Sequence, residues 1–191
     1  MKMRWPSSAL VIHGALAALA GPAVLSALAL LTTSACDPVH DDAVAALGPE
    51  APGVRRGPLH RPGQPCLLCH DGALGDPQRF TVAGTVFTTP GARDGAQGAV
   101  VTITDVNGSS IELTANAAGN FYATPSQYDP TFPLQTRLRG PSGETAIMQT
   151  LIEGNGTVEP NGACASCHFD PAGPSSPGHV CVTLDDGGTP P

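Results

Sequence analysis

One pattern occurs twice in the chain and constrains it more than any other feature. Residues 66–70 read Cys66-Leu67-Leu68-Cys69-His70, and residues 164–168 read Cys164-Ala165-Ser166-Cys167-His168. Two cysteines three positions apart fall on the same side of one helical turn, and a histidine follows each pair directly. A zinc site made of four cysteines would use two such pairs, but it does not require the histidines. With 6 histidines in 191 residues, two chance placements come to about one in a thousand. Zinc ribbons also space their pairs by about 15–20 residues, whereas here a whole domain's worth of chain separates them. Two disulfides in an exported domain are the other alternative, and they too leave the histidines without a role.

The repeated Cys-x-x-Cys-His pattern resembles the attachment signature of c-type cytochromes, over ten residues of the chain. The resemblance implies two covalently attached c-type haems. Cys66, Cys69, Cys164 and Cys167 would form the thioethers, and His70 and His168 would be the proximal iron ligands. Three further histidines lie beyond the first 35 residues: His40, His60 and His179. His60 precedes Cys66 and His179 follows His168, each in a Pro/Gly-rich loop that can fold over the open face of an iron. Both are candidate distal ligands. His40 lies further back along the chain. Met148 is the single methionine outside the signal segment. A thioether ligand would raise the reduction potential relative to two histidines, but a methionine in a strand reads as core filler. Cys181 is left over. It could pair with another chain, lie beside the second motif or, if Cys36 is not lipidated, form a disulfide with it.

Residues 1–35 read as an export signal. Lys2 and Arg4 supply the positive start, and an apolar Ala/Leu-rich stretch over 9–31 follows, broken by Gly21-Pro22. It ends in Thr33-Ser34-Ala35-Cys36, which resembles a bacterial lipobox. The resemblance implies that Cys36 is lipidated and becomes the first residue of a membrane-anchored lipoprotein. Cleavage after Ala35, or a retained anchor, would also deliver the chain across the cytoplasmic membrane. Loss of Lys2 and Arg4 takes the basic residues from 9 to 7 against 16 acidic ones, a net charge of −9 with no lysine remaining. A nucleic-acid partner is excluded, because phosphate binding needs a basic surface. A redox partner protein in the envelope is compatible with this charge.

Residues 36–65 form a tether rich in proline, with an anticipated short helical turn over 41–48. Residues 66–78 are the first haem-binding segment. Residues 79–152 alternate with period two. Phe80, Val82 and Val86 alternate with threonines and alanine, and Val101 and Ile103 with Thr102 and Thr104. Six strands are expected, at roughly 80–87, 98–106, 109–115, 119–124, 133–139 and 144–151, with Asn107-Gly108 as a two-residue hairpin turn. Residues 153–191 hold the second haem-binding segment and a tail in which Val180, Val182 and Leu184 could add one strand.

Val82-Ala83-Gly84-Thr85-Val86, Val101-Thr102-Ile103-Thr104-Asp105 and Ala118-Gly119-Asn120-Phe121 resemble, in that order, the transthyretin-like or carboxypeptidase-regulatory-like domain. That resemblance covers about 70 residues and implies a structural module with no catalytic residues of its own. The expected fold is therefore mostly β: a small antiparallel β-sandwich with irregular Pro/Gly-rich haem-binding arms and an N-terminal signal helix. Aromatics are 4% of the chain, and Gly 23 and Pro 20 together exceed a fifth of it. That leaves little material for a large core. An even number of strands that alternate in direction returns the chain to its starting end, so both motifs are expected at one end of the β-domain.

The expected function is single-electron transfer by a dihaem c-type cytochrome of the cell envelope, with no enzyme activity. A dihaem peroxidase would need an open iron face and polar distal groups. A surface-anchored β-module with redox-sensing haems is the third reading. Peroxide turnover separates the first two.

Overall fold

The computed structural model describes residues 38–50, 52–54, 56–72, 78–154 and 162–183. Residues 1–37, which hold the expected export signal and Cys36, lie outside these. The chain divides into two units after Asp41, and the fold described below belongs to the second, residues 42–191. A short helix, α1 (Pro38–Ala46), crosses that division. Among the described residues no helix is long and apolar enough to cross a membrane.

Among the described residues six strands follow, and all their pairings with one another are antiparallel. They are β1 (Val82–Thr85), β2 (Val100–Thr104), β3 (Ser110–Thr114), β4 (Asn120–Ala123), β5 (Gln135–Arg139) and β6 (Thr145–Ile147). β1 pairs with β4 in a two-stranded sheet, and the other four form a sheet in the order β3-β2-β5-β6. Period-two patterning places β2 at the centre of the larger sheet. Val101 and Ile103 are buried, while Val100, Thr102 and Thr104 on the other face are half-buried. Val101 faces Leu113 on one side and Leu138 on the other. Val82, Phe121 and Ala123 from the smaller sheet join Val101, Ile103, Leu113 and Leu138 from the larger one in a single apolar cluster, with Leu134 and Tyr128.

The β2–β3 connection is one residue longer than the Asn107-Gly108 pair predicts. The Gly108 N–H donates to the Asp105 carbonyl (3.0 Å) and the Asp105 N–H to the Ser109 carbonyl (2.8 Å), so the loop is Val106, Asn107 and Gly108. The cause is the Asp105 side chain. Its Oδ1 accepts the N–H groups of Asn107 (2.9 Å) and Ser109 (2.8 Å), and its Oδ2 accepts that of Thr131 (3.2 Å). This favours a turn in which Gly108 takes the left-handed φ of +83°.

Burial of Asp105 raises its pKa, but the N–H groups of Thr131, Ser109 and Asn107 outweigh burial and hold the carboxyl below its ordinary value. The folded pKa therefore lies under the unfolded one of about 3.9. The stabilisation is present above that value and is lost as pH falls through the folded pKa. Acid unfolding of the parent followed by circular dichroism should steepen below about pH 4. Asp105→Asn, which cannot titrate, should lose stability less steeply over the same range. Identical acid slopes would remove Asp105 as the cause.

Candidate functional site

The two motifs fold alike. Each opens a one-turn 3-10 helix at its first cysteine, Cys66–Leu68 in one case and Cys164–Ser166 in the other. The residue before each is extended, Pro65 at φ −71° and ψ 93°, and Ala163 at φ −89° and ψ 100°. In the first turn the N–H groups of Cys69 and His70 both donate to the Cys66 carbonyl, at 3.2 and 3.0 Å. In the second, those of Cys167 and His168 donate to the Cys164 carbonyl at 3.2 and 2.9 Å. A single turn so closed carries its two cysteines on one side and the histidine just beyond.

The histidines are oriented by the same device. His70 Nδ1 lies 3.0 Å from the Gln78 carbonyl and His168 Nδ1 lies 3.0 Å from the Gly178 carbonyl. A carbonyl oxygen can only accept, so each Nδ1 carries a proton and Nε2 is the nitrogen turned away from that bond. Metal-binding histidines are commonly held this way, with the outer nitrogen donating to a carbonyl or carboxylate. Sequence reasoning did not anticipate Gln78 or Gly178, because every residue has a carbonyl and no residue type marks this role.

β1 brings the two motifs together. On the edge not used by β4, the Ala83 N–H donates to the Gly162 carbonyl (2.8 Å), and Ala83 bridges Ala163 in parallel register, directly before Cys164. Further along that edge the Phe87 N–H donates to the Val180 carbonyl (2.8 Å) and Val182 returns its N–H to Phe87 (3.0 Å). The loop leading into the first motif reaches the same strand through the Gly63 N–H, which donates to Thr85 Oγ1 (2.8 Å). All four residues of β1 are buried in consequence. Gly84 has no room for a side chain: a Cβ there would meet Cys164 Cβ and Phe121 Cζ, each at 2.8 Å. The motifs therefore meet alongside β1, where the even strand count had placed them at one end of the domain.

Burial pushes the Cys66 thiol up to about 11, with the neighbouring Cys69 adding to the effect. Burial also pushes the Cys164 thiol up to about 12, with Cys66 as the next cause, which places the first cysteines of the two motifs near one another. Both are neutral thiols at pH 7 in the folded chain. A cleft of about 470 Å³ lies between the turns and is lined by Leu68 of one and Ala165 and Ser166 of the other. A second, of about 520 Å³, holds Cys66, Cys69, His70, His60, Phe80 and Tyr122 on its walls. Both volumes fall in the range of roughly 300–1,000 Å³ usual for small-molecule and cofactor pockets. Among the described residues no group of three or more His, Cys, Asp or Glu side chains converges on one metal position.

His60 and His179 are placed differently. The His60 and His70 ring centroids are 5.9 Å apart with planes at 52°. His70 also packs on Phe80 at 4.5 Å, and Phe80 stacks on Tyr122 at 4.5 Å. His179 lies against the loop that leads to the first motif. It stacks on Phe87 (4.4 Å, 15°), and a Cβ added at Gly63 would stand 3.2 Å from its Nε2. Its Nδ1 is 3.2 Å from Asp170 Oδ2, at ion-pair distance but without hydrogen-bond geometry. Met148 sits past the end of β6, its N–H donating to the Thr136 carbonyl (3.0 Å) in the larger sheet. Cys181 bridges Phe87 and its thiol points to the Thr183 carbonyl (3.3 Å). The side chain of His40 lies outside the described residues.

No protein-family model, no curated protein and no solved structure matches this chain.

Proposed function

We propose that the chain is a dihaem c-type cytochrome that transfers single electrons in the cell envelope, with its two β-sheets stacked as a small sandwich that carries both haem sites. The observation that supports this best is the double construction at the motifs. Two turns distant in sequence share one hydrogen-bond pattern, and each histidine has its Nδ1 proton committed to a backbone carbonyl. The residues fit the group. Cys66 and Cys69 would hold one haem with His70 as proximal ligand, and Cys164 and Cys167 the other with His168. The haems supply reversible one-electron chemistry when bound. The chain's own residues anchor, orient and partly bury them. The carbonyls of Gln78 and Gly178 fix the tautomer and raise the basicity of the imidazoles. The β1 edge holds the two sites side by side. No residue is assigned to substrate chemistry.

The test is a pyridine haemochrome spectrum with intact mass, on chain produced alongside a c-type maturation system. Two haems per chain are expected. A chain that carries zinc and no haem mass would end this reading.

The lipobox-like Thr33-Ser34-Ala35-Cys36 supports a lipid anchor at Cys36 and a redox partner protein in the envelope. Full acylation binds firmly where a single chain binds only marginally. Cys36→Ser should therefore move the protein from the membrane fraction to the soluble one, or block its processing. An unchanged distribution would contradict the anchor.

A further inference from the structure

The segment ahead of the first motif is tied down by a polar pair at the end of the smaller sheet, where β1 finishes and β4 begins. Thr85 of β1 and Asn120 of β4 face each other in register. They are 5% and 7% exposed, among apolar neighbours where each polar atom needs a partner. The Thr85 hydroxyl donates to Asn120 Oδ1 (2.7 Å) and accepts the Gly63 N–H (2.8 Å). Asn120 Nδ2 donates to the carbonyls of His60 (3.0 Å) and Pro58 (3.2 Å). Asn116 adds a second bond to the Pro58 carbonyl (2.6 Å). The loop is thus held at residues 58, 60 and 63, on both sides of the His60 side chain. Beyond it, Arg61 takes the left-handed φ of 50° and donates to the Gly48 carbonyl (2.9 Å), which ties the loop to the chain after α1.

The side chain so held points at the first site. His60 Nδ1 donates to the Gly57 carbonyl, so Nε2 is the nitrogen turned away from that bond, as in His70. Both rings line the cleft that contains Cys66 and Cys69. Two imidazoles that bind one metal ion from opposite sides, at about 2 Å per bond, have ring centres roughly 6 Å apart. The observed spacing is 5.9 Å.

We propose that His60 is the second axial ligand of the first haem and that Asn120, backed by Thr85, is the positioning residue that holds it there. This rests on the dihaem reading above. His179 is engaged with Phe87 and Gly63, so the second haem has different surroundings and the two sites are not equivalent.

The experiment uses the full dihaem chain. Ferric electron paramagnetic resonance and near-infrared magnetic circular dichroism are recorded for the parent, His60→Ala, Asn120→Ala and Asn120→Asp. In the parent the first haem should be low-spin with two nitrogen ligands. His60→Ala should remove that signature from one haem of the two, and added imidazole should restore it. Asn120→Ala should give a mixture of ligated and unligated first haem, with far-ultraviolet circular dichroism unchanged. Asn120→Asp keeps an acceptor for Thr85 but cannot donate to the two carbonyls. It should show the same mixture and is the variant read if the alanine form does not fold.

Two haems by mass with spectra that ignore His60→Ala would overturn the ligand assignment while leaving the dihaem reading standing. Spectra altered by His60→Ala but untouched in the Asn120 variant that folds would overturn the positioning role. A parent chain without haem mass would overturn both readings.

Discussion

On the dihaem reading, Cys66→Ala is expected to lower haem content from two per chain towards one, and Cys164→Ala to do the same at the other site. The expectation follows from how each turn is built. The first cysteine sits at the start of the turn, and its carbonyl receives the N–H groups of both the second cysteine and the histidine. Removing its thiol would leave one thioether and one histidine nitrogen to retain the proposed haem, so haem at that site should be held weakly or lost. Replacing both cysteines of a pair should abolish attachment there and leave the other site loaded. Intact mass gives the stoichiometry directly, and the haemochrome absorbance per chain should fall by up to half. The backbone of each turn does not depend on the thiols, so the strands should persist in both variants. Cys164 packs against the apolar cluster, so Cys164→Ala should also cost some stability that Cys66→Ala does not. Two full haems in either double-cysteine variant would show that these turns are not the attachment sites.

Ile103→Ala should have the largest effect on stability. Ile103 is 1% exposed and lies on β2, between β3 and β5. Truncating a fully buried isoleucine costs about 2–5 kcal/mol, through lost burial plus the cavity left behind. Domain stabilities are typically about 5–15 kcal/mol in total, so this one change removes a large share. The chain has few alternatives to absorb the loss, since aromatics are only 4% of it and the cluster is built from valines, alanines and a few larger residues. Urea denaturation should show a lower midpoint with an unchanged slope. A variant within about 0.5 kcal/mol of the parent, the range usual for surface changes, would mean that β2 is not the centre of the core. On the dihaem reading, haem content should stay at two per chain while the variant remains folded, because Ile103 lies on β2, outside both motifs' turns.

The sequence alone was enough for whatever local rules decide. Period-two alternation placed all six strands, with limits that differ from the observed ones by a few residues. β1 is shorter than expected because Val86, whose N–H still donates to Gly119, gives its carbonyl to the Ala96 N–H, and Phe87 pairs with Val180 and Val182. β6 stops at Ile147. The spacing of Cys66, Cys69 and His70, and of Cys164, Cys167 and His168, determined which side chains share a turn. What lay out of reach depends on partners distant along the chain or on groups every residue possesses. Gln78 and Gly178 act through backbone carbonyls, which no residue type advertises. Asn120 was legible as part of a glycine turn feeding a strand, yet its contact to His60 spans 60 positions. That contact exists only because β4 pairs with β1 and the loop before Cys66 crosses both. The described residues hold six strands, as expected, but the meeting of the motifs is set by the edge of β1 and the residues just after it, whose N–H and C=O groups needed partners and found them in residues 162 and 180–182. Local pattern determined which pieces form. Backbone hydrogen bonds that had to be satisfied, and one buried polar pair, decided which of those pieces lie together.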